Sequence, residues 1–329
     1  MTSSSSPLLL TIGPVMPDVV ERQLASRFTL VGETDVEGAV VAHGPDIRAI
    51  ATRGLLNVDE ALMARLPALE IVANFGVGYD SVDAAAAAAR KIVVTHTPDV
   101  LNEDVADLAL GLLLATVRDL PRADRFVREG KWPTGAFALS ATLRTRTVGI
   151  VGMGRIGKAI ARRIEAFGLP IAYYTRTPQA DLPYRHYADL VALARDVDIL
   201  ILILPGGPAT DRLVNAEVLA ALGPNGILIN VARGTVVDEP ALVEALKSGT
   251  ILAAGLDVFR HEPHVPEALR ALDNVVLLPH LGSSTHHTRA AMGQLVVDNL
   301  LSWFDGKSAL TPVPESRALN SSRPLAPRA

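Results

Sequence analysis

The sequence of 329 residues contains no cysteine. Disulfide bonds, thiolate metal sites and cysteine nucleophiles are therefore excluded, although the redox compartment stays undecided. The chain also lacks a surplus of positive charge, since 31 Lys and Arg face 35 Asp and Glu and the formal net charge is −4. Proteins that bind nucleic-acid phosphates need such a surplus. We therefore expect no nucleic-acid partner.

Long apolar runs are absent as well. No stretch reaches the roughly 18 apolar residues that a membrane span needs, and residues 1–10 lack the basic start of a secretion signal. We therefore expect a cytoplasmic protein without a membrane partner, and no metal site is predicted. The chain has the composition of a folded protein, with 49% hydrophobic and 20% charged residues. Its length favours two domains over one.

Short apolar runs alternate with helical patterns, which is typical of α/β proteins with parallel strands. Five buried strands are predicted in the first third, at Leu8–Ile12, residues 39–42, residues 49–52, Ile71–Asn74 and residues 92–96. A second α/β series is predicted from residue 147 to about residue 282. A helix is expected over residues 285–304. The Pro- and Ser-rich part from residue 306 onward is interpreted as a loosely held tail.

The strongest nucleotide-binding signal lies in the middle of the chain. A predicted strand runs into residues 152–157, Gly-Met-Gly-Arg-Ile-Gly, and then into a helix. In this setting Gly152 allows a tight turn, Gly154 lets a pyrophosphate approach the backbone, and Gly157 lets helix and strand pack closely. The helix start, with Arg155 and Ile156, would turn its free N–H groups toward the phosphates.

The position of this motif also predicts the domain organisation. An α/β segment precedes it and a helix follows it, so one domain is expected to be inserted into another. We predict two Rossmann-like domains with parallel sheets. The cofactor domain, residues 99–284, is inserted into a discontinuous substrate domain, residues 1–98 and 285–329. A cleft between such domains is a usual place for a small-molecule site.

The residues after the next strand indicate which nucleotide binds. An NAD site normally has a carboxylate about 20 residues after the glycine loop, on the ribose 2′-hydroxyl. Residues 166–180 contain no Asp or Glu, and Arg176 stands there between Thr175 and Thr177. A guanidinium attracts a 2′-phosphate that a carboxylate would repel. NADP(H) is the expected cofactor, and a solvated surface arginine is the alternative interpretation.

Three later strands are predicted to end in chemically useful side chains. Arg233 can bind a carboxylate through two hydrogen bonds, although pairing with Asp238 is the alternative. A carbonyl that receives a hydride becomes an alkoxide, and His280 is a natural proton donor to it. Glu262 would stabilise the protonated ring, and Asp257 is the competing candidate for that position.

Together these residues resemble the D-2-hydroxyacid dehydrogenase family, and within it the NADP-dependent glyoxylate/hydroxypyruvate reductase branch. The resemblance covers about residues 71–304. It rests on residues 74–80 (Asn-Phe-Gly-Val-Gly-Tyr-Asp), 152–157, 230–234 (Asn-Val-Ala-Arg-Gly), 255–259 (Gly-Leu-Asp-Val-Phe), 262–263 (Glu-Pro) and 279–280 (Pro-His). It implies that the protein reduces small 2-keto acids, such as glyoxylate, hydroxypyruvate or larger ones, to D-2-hydroxy acids with NADPH.

The resemblance also implies a role for each of four residues. Arg233 would orient the keto acid, His280 would act as the general acid and base, and Glu262 would be its partner. Asp257 would lie near the nicotinamide carboxamide. The family pattern thus makes Arg233, Glu262 and His280 the expected catalytic set.

For the substrate, the family pattern implies that the backbone N–H groups of Val77 and Gly78 bind the carboxylate. Two adjacent amides can form such an anion-binding nest. The side-chain end of the pocket is expected at the turn formed by Arg53, Gly54 and Leu55 and at the loop of residues 75–77. These positions leave the size of the accepted keto acid undetermined.

The family also implies a homodimer in which residues 130–141 wrap the neighbouring subunit. Phe137 is our hypothesis for a residue that reaches the neighbour's substrate cleft.

A non-enzymatic alternative stays open, because transcriptional corepressors on the same fold sense nicotinamide nucleotides and keep much of the site. Turnover of NADPH with any keto acid distinguishes the two.

Overall fold

The computed structural model describes residues 6–13, 18–54 and 56–321, which form two compact units. The first unit is Met1–Leu101 with Thr285–Ala329, and the second is Asn102–Ser284. Each unit has one sheet, and all of the paired strands within it are parallel. Parallel strands are buried on both faces and need continuous apolar runs, which this sequence supplies. The predicted α/β fold with two parallel sheets is confirmed.

The first unit has five strands in the order β2-β1-β3-β4-β5. The strands are β1 (Leu8–Ile12), β2 (Thr29–Val31), β3 (Ile47–Thr52), β4 (Ile71–Asn74) and β5 (Val93–Thr95). Its first helices are α1 (Asp18–Ala25), α2 (Val36–His43), α3 (Glu60–Ala64) and α4 (Ala84–Ala89). The strand order reverses between β1 and β3, and ligands of open α/β sheets bind at the carboxyl ends beside such a reversal.

The second unit has seven strands in the order β12-β11-β10-β9-β6-β7-β8. The strands are β6 (Val148–Val151), β7 (Ile171–Tyr174), β8 (Arg185–Tyr187), β9 (Ile199–Leu202), β10 (Ile227–Asn230), β11 (Ala253–Leu256) and β12 (Val275–Leu277). The helices are α5 (Asn102–Arg118), α6 (Leu120–Arg128), α7 (Arg155–Ala166), α8 (Leu190–Asp196), α9 (Ala216–Leu222), α10 (Glu239–Lys247) and α11 (Glu267–Arg270). The order reverses between β6 and β9, which places the carboxyl ends of these two strands at a ligand-binding position.

Apolar side chains cover both faces of the second sheet. Along β10, Ile227 and Ile229 belong to one hydrophobic cluster and Leu228 belongs to the other, because successive side chains of a strand point to opposite faces. The first cluster includes Ile160 of α7, and the second includes Leu242 of α10. Burial of each such side chain contributes about 1.5–3 kcal/mol. The strand ends that carry polar groups are therefore attached to a rigid core.

The chain returns to the first unit through α12 (His286–Phe304) and α13 (Arg317–Ser321). The prediction of a loosely held tail is wrong for residues 306–321. Val313 is fully buried and its N–H donates to the Val94 carbonyl at 2.9 Å. Asn320 accepts the Ala309 N–H and donates to the Ala309 carbonyl, at 2.8 and 3.0 Å. Composition misled the prediction because specific hydrogen bonds, rather than many apolar residues, hold this segment. Residues 322–329 lie outside the described part.

The strand predicted at residues 39–42 is also wrong, because these residues lie within α2. The Asp35 side chain accepts the N–H of Gly38 and caps the start of that helix. A run of four apolar residues is too short to distinguish a strand from a buried helix.

Within the described part of the chain, no helix is both long and apolar enough to cross a membrane. The same residues contain no group of three or more side chains suited to bind a metal.

Candidate active site

The glycine loop, residues 152–157, connects β6 to α7. Gly152 has φ +100°, and a Cβ there would lie 2.2 Å from the carbonyl oxygen of Ile203. A Cβ at Gly157 would lie 2.2 Å from the Gly152 carbonyl oxygen. At Gly154, by contrast, no described atom lies within 4 Å of that position. The loop is thus packed tightly except at Gly154, where the backbone is open to a ligand.

This opening lies at the N-terminus of α7, whose 12 residues begin with Arg155 and Ile156. Arg155 is exposed and Ile156 is half-buried. The first N–H groups of a helix have no partner within it, and they favour anions. The open backbone and the helix start fit the pyrophosphate of a dinucleotide.

The loop after β7 contains the three residues predicted to bind a 2′-phosphate. Arg176 is exposed, and the Thr175 hydroxyl donates to the Thr177 carbonyl at 2.7 Å. Gln179 holds this loop to the glycine loop, because its side-chain amide donates to the Met153 carbonyl at 2.8 Å. Sequence reasoning missed Gln179, since no motif marks it. The chemistry of the loop, a cation and two hydroxyl groups, fits a phosphate.

The turn after β10 carries Arg233. Asn230, which is 1% exposed, accepts the Ala232 N–H at 3.0 Å and donates to the Arg233 carbonyl at 3.0 Å. The half-buried Arg233 side chain donates to the Ala232 carbonyl at 2.7 Å. The buried amide of Asn230 therefore fixes the backbone on which Arg233 is presented. Sequence reasoning gave Asn230 no role of its own.

The structure brings His280 and Glu262 together. The Nδ1 atom of His280 lies 2.7 Å from Oε2 of Glu262, and Oε1 of Glu262 accepts the Phe259 N–H at 3.0 Å. His280 has φ +55°, a conformation that few non-glycine residues adopt. Its backbone N–H donates to the Asp257 carbonyl at 2.8 Å. Because Nδ1 is engaged by Glu262, Nε2 is the ring nitrogen available to a substrate.

The ionisation of Glu262 responds to this pairing. Burial raises the pKa of Glu262, but the lowering effects together outweigh it and bring the pKa below its usual value of 4.5; the largest of them are the hydrogen bond and the charge of His280. The Phe259 N–H and the positive charge of Arg233 lower the pKa further. Glu262 is therefore held as a carboxylate that favours a protonated partner.

Asp257, the competing candidate for the partner of the His280 ring, does not pair with that ring. Its carboxylate is 1% exposed, and its two oxygens accept the N–H groups of Leu281 and Gly282 at 2.6 and 2.9 Å. Burial raises the pKa of Asp257, against the lowering effect of these two bonds. Asp257 thus anchors the backbone just after His280, whereas Glu262 contacts the ring. Its contact with a nicotinamide stays a prediction.

In the first unit, the loop after β4 holds the predicted carboxylate-binding residues. The Asn74 side chain donates to the carbonyls of Gly76 and Gly78 at 3.1 and 2.9 Å. The Val77 carbonyl lies 3.0 Å from Nδ1 of His96. Among the described residues, the N–H groups of Val77 and Gly78 make no hydrogen bond. The loop is held by its carbonyls, which leaves these two amides for an anion.

The turn after β3 was predicted to form part of the side-chain end of the substrate pocket. Gly54 has φ +84°, and its N–H donates to the Thr52 hydroxyl at 3.2 Å. Arg53 is exposed. Leu55 lies outside the described residues.

The sequence profile of the D-isomer specific 2-hydroxyacid dehydrogenase NAD-binding domain matches residues 110–282. This range contains the glycine loop, Arg233, Glu262 and His280. The chain belongs to the D-isomer specific 2-hydroxyacid dehydrogenase family. The resemblance noted from the motifs is confirmed, and the described geometry is that of a dehydrogenase of this family.

Known relatives extend over nearly the whole chain. A glyoxylate/hydroxypyruvate reductase A of Arabidopsis thaliana is 49% identical over 91% of this chain and 96% of its own. A hydroxyphenylpyruvate reductase of Plectranthus scutellarioides is 46% identical over the same shares, 91% and 96%. Among solved structures, the NADPH-dependent glyoxylate/hydroxypyruvate reductase of Sinorhizobium meliloti, in complex with NADP and malonate, is 53% identical. Its TM-score is 0.90, over 95% of this chain and 98% of that chain. Nothing in these comparisons supports the nucleotide-sensing alternative.

Proposed function

We propose that this protein reduces small 2-keto acids to D-2-hydroxy acids with NADPH. The observation that carries the proposal is the 2.7 Å pair of His280 and Glu262, in the same unit as the open glycine loop and Arg233. A proton donor, a group that binds carboxylates and a dinucleotide loop are the three parts that this reaction requires. The reductases among its relatives support the same conclusion.

In this proposal the second unit is the cofactor domain and the first is the substrate domain. Gly152, Gly154 and Gly157 shape the loop for the pyrophosphate, and the start of α7 faces it. Arg176 and its neighbouring hydroxyls bind the 2′-phosphate, because residues 166–180 contain no carboxylate that would repel it and the next one, Asp181, is paired with Lys158 at 2.9 Å. When bound, NADPH supplies a hydride to the carbonyl carbon of the keto acid.

Two groups of this chain bind and orient the substrate. The Arg233 guanidinium pairs with the carboxylate and polarises the keto oxygen, because its planar fork matches a carboxylate. In the first unit, the N–H groups of Val77 and Gly78 are suited to bind a carboxylate without adding a charge. Holding the reacting carbon in one orientation provides a large share of the rate enhancement in such reactions.

His280 completes the reaction by moving a proton. Its Nε2 atom donates the proton to the substrate oxygen as the carbonyl is reduced. Glu262 accepts a hydrogen bond from the Nδ1–H group of His280 and stabilises the charged ring before the Nε2 proton is transferred. In the reverse direction the same Nε2 atom accepts the hydroxyl proton. The fixed order Glu262, His280, substrate therefore defines the path of the proton.

The accepted keto acids include glyoxylate, hydroxypyruvate and larger ones in this proposal. Relatives of similar identity are named for glyoxylate, hydroxypyruvate and hydroxyphenylpyruvate, which supports a range of side chains. The test is a set of initial rates with NADPH and with NADH on glyoxylate, hydroxypyruvate and phenylpyruvate. We expect turnover with NADPH on at least one acid. Nucleotide binding without turnover on any acid would contradict the proposal.

We also propose that the enzyme is a cytoplasmic homodimer that associates through residues 130–141. Trp132 and Leu139 are 68% and 101% exposed, which is unusual for large apolar side chains. Phe137 packs on Phe126 of its own chain, with ring centroids 5.4 Å apart. Trp132 and Leu139 are thus the apolar groups offered to a neighbour. Sedimentation of a Trp132→Ser, Leu139→Ser double variant tests this, and a wild type that sediments as a monomer would contradict it.

A further inference from the structure

A buried carboxylate, Glu239, lies at the start of α10, outside the residues assigned above. It is 7% exposed although it is the first residue of the helix. Its Oε1 atom accepts the backbone N–H of Arg260 at 2.7 Å. Burial of a carboxylate is costly unless its oxygens are hydrogen-bonded, and a bond to a charged acceptor is about twice as strong as a neutral one. The bond therefore ties two segments that lie 21 residues apart.

The segment that Glu239 holds is the one that ends in Glu262. Arg260 stands two residues before Glu262, and the preceding N–H, that of Phe259, donates to Oε1 of Glu262 at 3.0 Å. Two successive N–H groups are thus bound by two different carboxylates. Because these two N–H groups belong to the consecutive peptide units on either side of the Phe259 Cα, a shift of the Arg260 N–H also shifts the Phe259 N–H that positions Glu262.

The turn that presents Arg233 packs on the same peptide. A Cβ at Gly234 would lie 1.9 Å from the carbonyl carbon of Phe259 and 2.3 Å from the nitrogen of Arg260. Only a glycine allows this approach. The Phe259–Arg260 peptide is thus covered by the Arg233 turn and bound by Glu239. It is a common support for Arg233 and Glu262.

We propose that Glu239 is a positioning residue for the Glu262–His280 pair. Its carboxylate holds the Arg260 N–H, and through the Phe259–Arg260 peptide it keeps Oε2 of Glu262 within hydrogen-bonding distance of Nδ1 of His280. The effect on turnover rests on the proposed function, whereas the bond itself does not.

A structural alternative is that Glu239 only complements the helix dipole, as acids in a first helical turn do. Glu37 and Glu217 occupy the first turns of α2 and α9 and are exposed, so that role does not require burial. Glu239 is buried against a loop of the active site instead. The two interpretations make different predictions for removal of the Glu239 carboxylate, which accepts the Arg260 N–H. A positioning role predicts that the ionisation of Glu262 changes, whereas a helix-dipole role predicts that it does not.

The test compares Glu239→Met with Glu239→Gln, because both side chains have about the size of Glu and only Gln keeps an oxygen acceptor. In Glu239→Met we expect kcat to fall about tenfold or more. We expect the acid limb of the kcat/KM pH profile to move up by about one pH unit, because Glu262 loses the pairing that lowers its pKa. The dissociation constant of NADPH should stay within about twofold, and Glu239→Gln should restore the wild-type profile.

Asp238→Ala is the matched control. The Asp238 side chain accepts the Ala241 N–H at 3.3 Å and caps the same helix without contacting Arg260. We expect this variant to lower the unfolding temperature and leave the acid limb in place. A wild-type acid limb in Glu239→Met, or an equal shift in Asp238→Ala, would overturn the proposal. If Glu239→Met does not fold, Glu239→Asp replaces it, and its shorter carboxylate should give an intermediate shift; no shift would overturn the proposal.

Amide hydrogen exchange in residues 258–262 provides a readout that needs no substrate. We expect faster exchange at the Arg260 amide in Glu239→Met and wild-type exchange in Glu239→Gln and Asp238→Ala. Unchanged exchange in Glu239→Met would overturn the role of Glu239 even in an active enzyme. Faster exchange in a protein that reduces no keto acid would retain the bond and contradict the proposed function alone.

Discussion

The side chains of Glu262 and His280 meet at 2.7 Å although 18 residues separate them in the sequence. Each lies in the segment that follows one of two strands, Glu262 after β11 and His280 after β12. These strands are parallel neighbours, with Leu256 paired to Leu277, so their carboxyl ends share one edge of the sheet. The pair is thus a consequence of sheet topology, completed by the Phe259 N–H on Glu262 and the Asp257 carbonyl that binds the His280 N–H.

Replacement of Glu262 by Gln tests the charge of this pair. The amide can still accept a hydrogen bond but no longer stabilises a protonated His280. We expect kcat/KM for keto acid reduction to fall by about 10²-fold, with NADPH affinity unchanged. Initial rates and nucleotide titration measure both quantities. Glu267→Gln, at an exposed acid in α11, is the control and should behave as wild type. Equal activity of both variants would rule out a catalytic role for Glu262.

The pH dependence of stability follows from the lowered pKa of Glu262. Because its pKa in the folded protein is below the usual 4.5, its ionised form stabilises the fold above that value. This contribution is lost as the pH falls through the lowered pKa. Unfolding temperatures of wild type and Glu262→Gln, measured from about pH 6 to about pH 3, should therefore converge in the acid range. The raised pKa of Asp257 has the opposite effect, and its largest cause, burial, is common to both proteins. A difference that stays constant with pH would contradict the assignment.

The nucleotide preference is tested at Arg176. A charge-assisted hydrogen bond contributes about 1.5–3 kcal/mol, so Arg176→Ala should weaken NADPH binding by about 10- to 100-fold and leave NADH unchanged. Equilibrium titration with both nucleotides measures the ratio. Arg195→Ala, at an exposed arginine of α8, is the matched control. If Arg176→Ala loses affinity equally for both nucleotides, the 2′-phosphate contact is wrong.

The open backbone at Gly154 predicts a separation of stability from binding. A Cβ at Gly154 meets no described atom within 4 Å, so Gly154→Ala should change the free energy of unfolding by about 1 kcal/mol or less. The added methyl group occupies the place of the pyrophosphate, and NADPH affinity should fall at least about tenfold. Gly111→Ala, which also meets no atom within 4 Å, should bind NADPH normally. Unchanged NADPH affinity in Gly154→Ala would place the pyrophosphate elsewhere.

Sequence patterns predicted the parallel sheets and the polar residues at their ends because both depend on local signals. A buried run of apolar residues marks a strand, and the residue that follows it marks the edge at which ligands bind. The shared edge of Arg233, Glu262 and His280 could be inferred on this basis. Their roles in catalysis stay predictions that the variants above test.

The supporting residues could not be predicted in the same way. Asn230, Gln179 and Glu239 act through hydrogen bonds to backbone groups, and such bonds leave no periodic signal in the sequence. The Glu239 bond joins residues that are far apart in the chain, so it depends on packing that only the folded chain provides. The hydrogen bonds that hold residues 306–321 in place were missed for the same reason.

The proposed reaction is tested most directly by the product that the wild-type enzyme forms from hydroxypyruvate and NADPH. The two enantiomers of glycerate can be resolved on a chiral column, and NADPH consumption can be followed in the same sample. We expect D-glycerate in an amount equal to the NADPH oxidised. Bound NADPH that is not consumed, or a product that is L-glycerate, would contradict it.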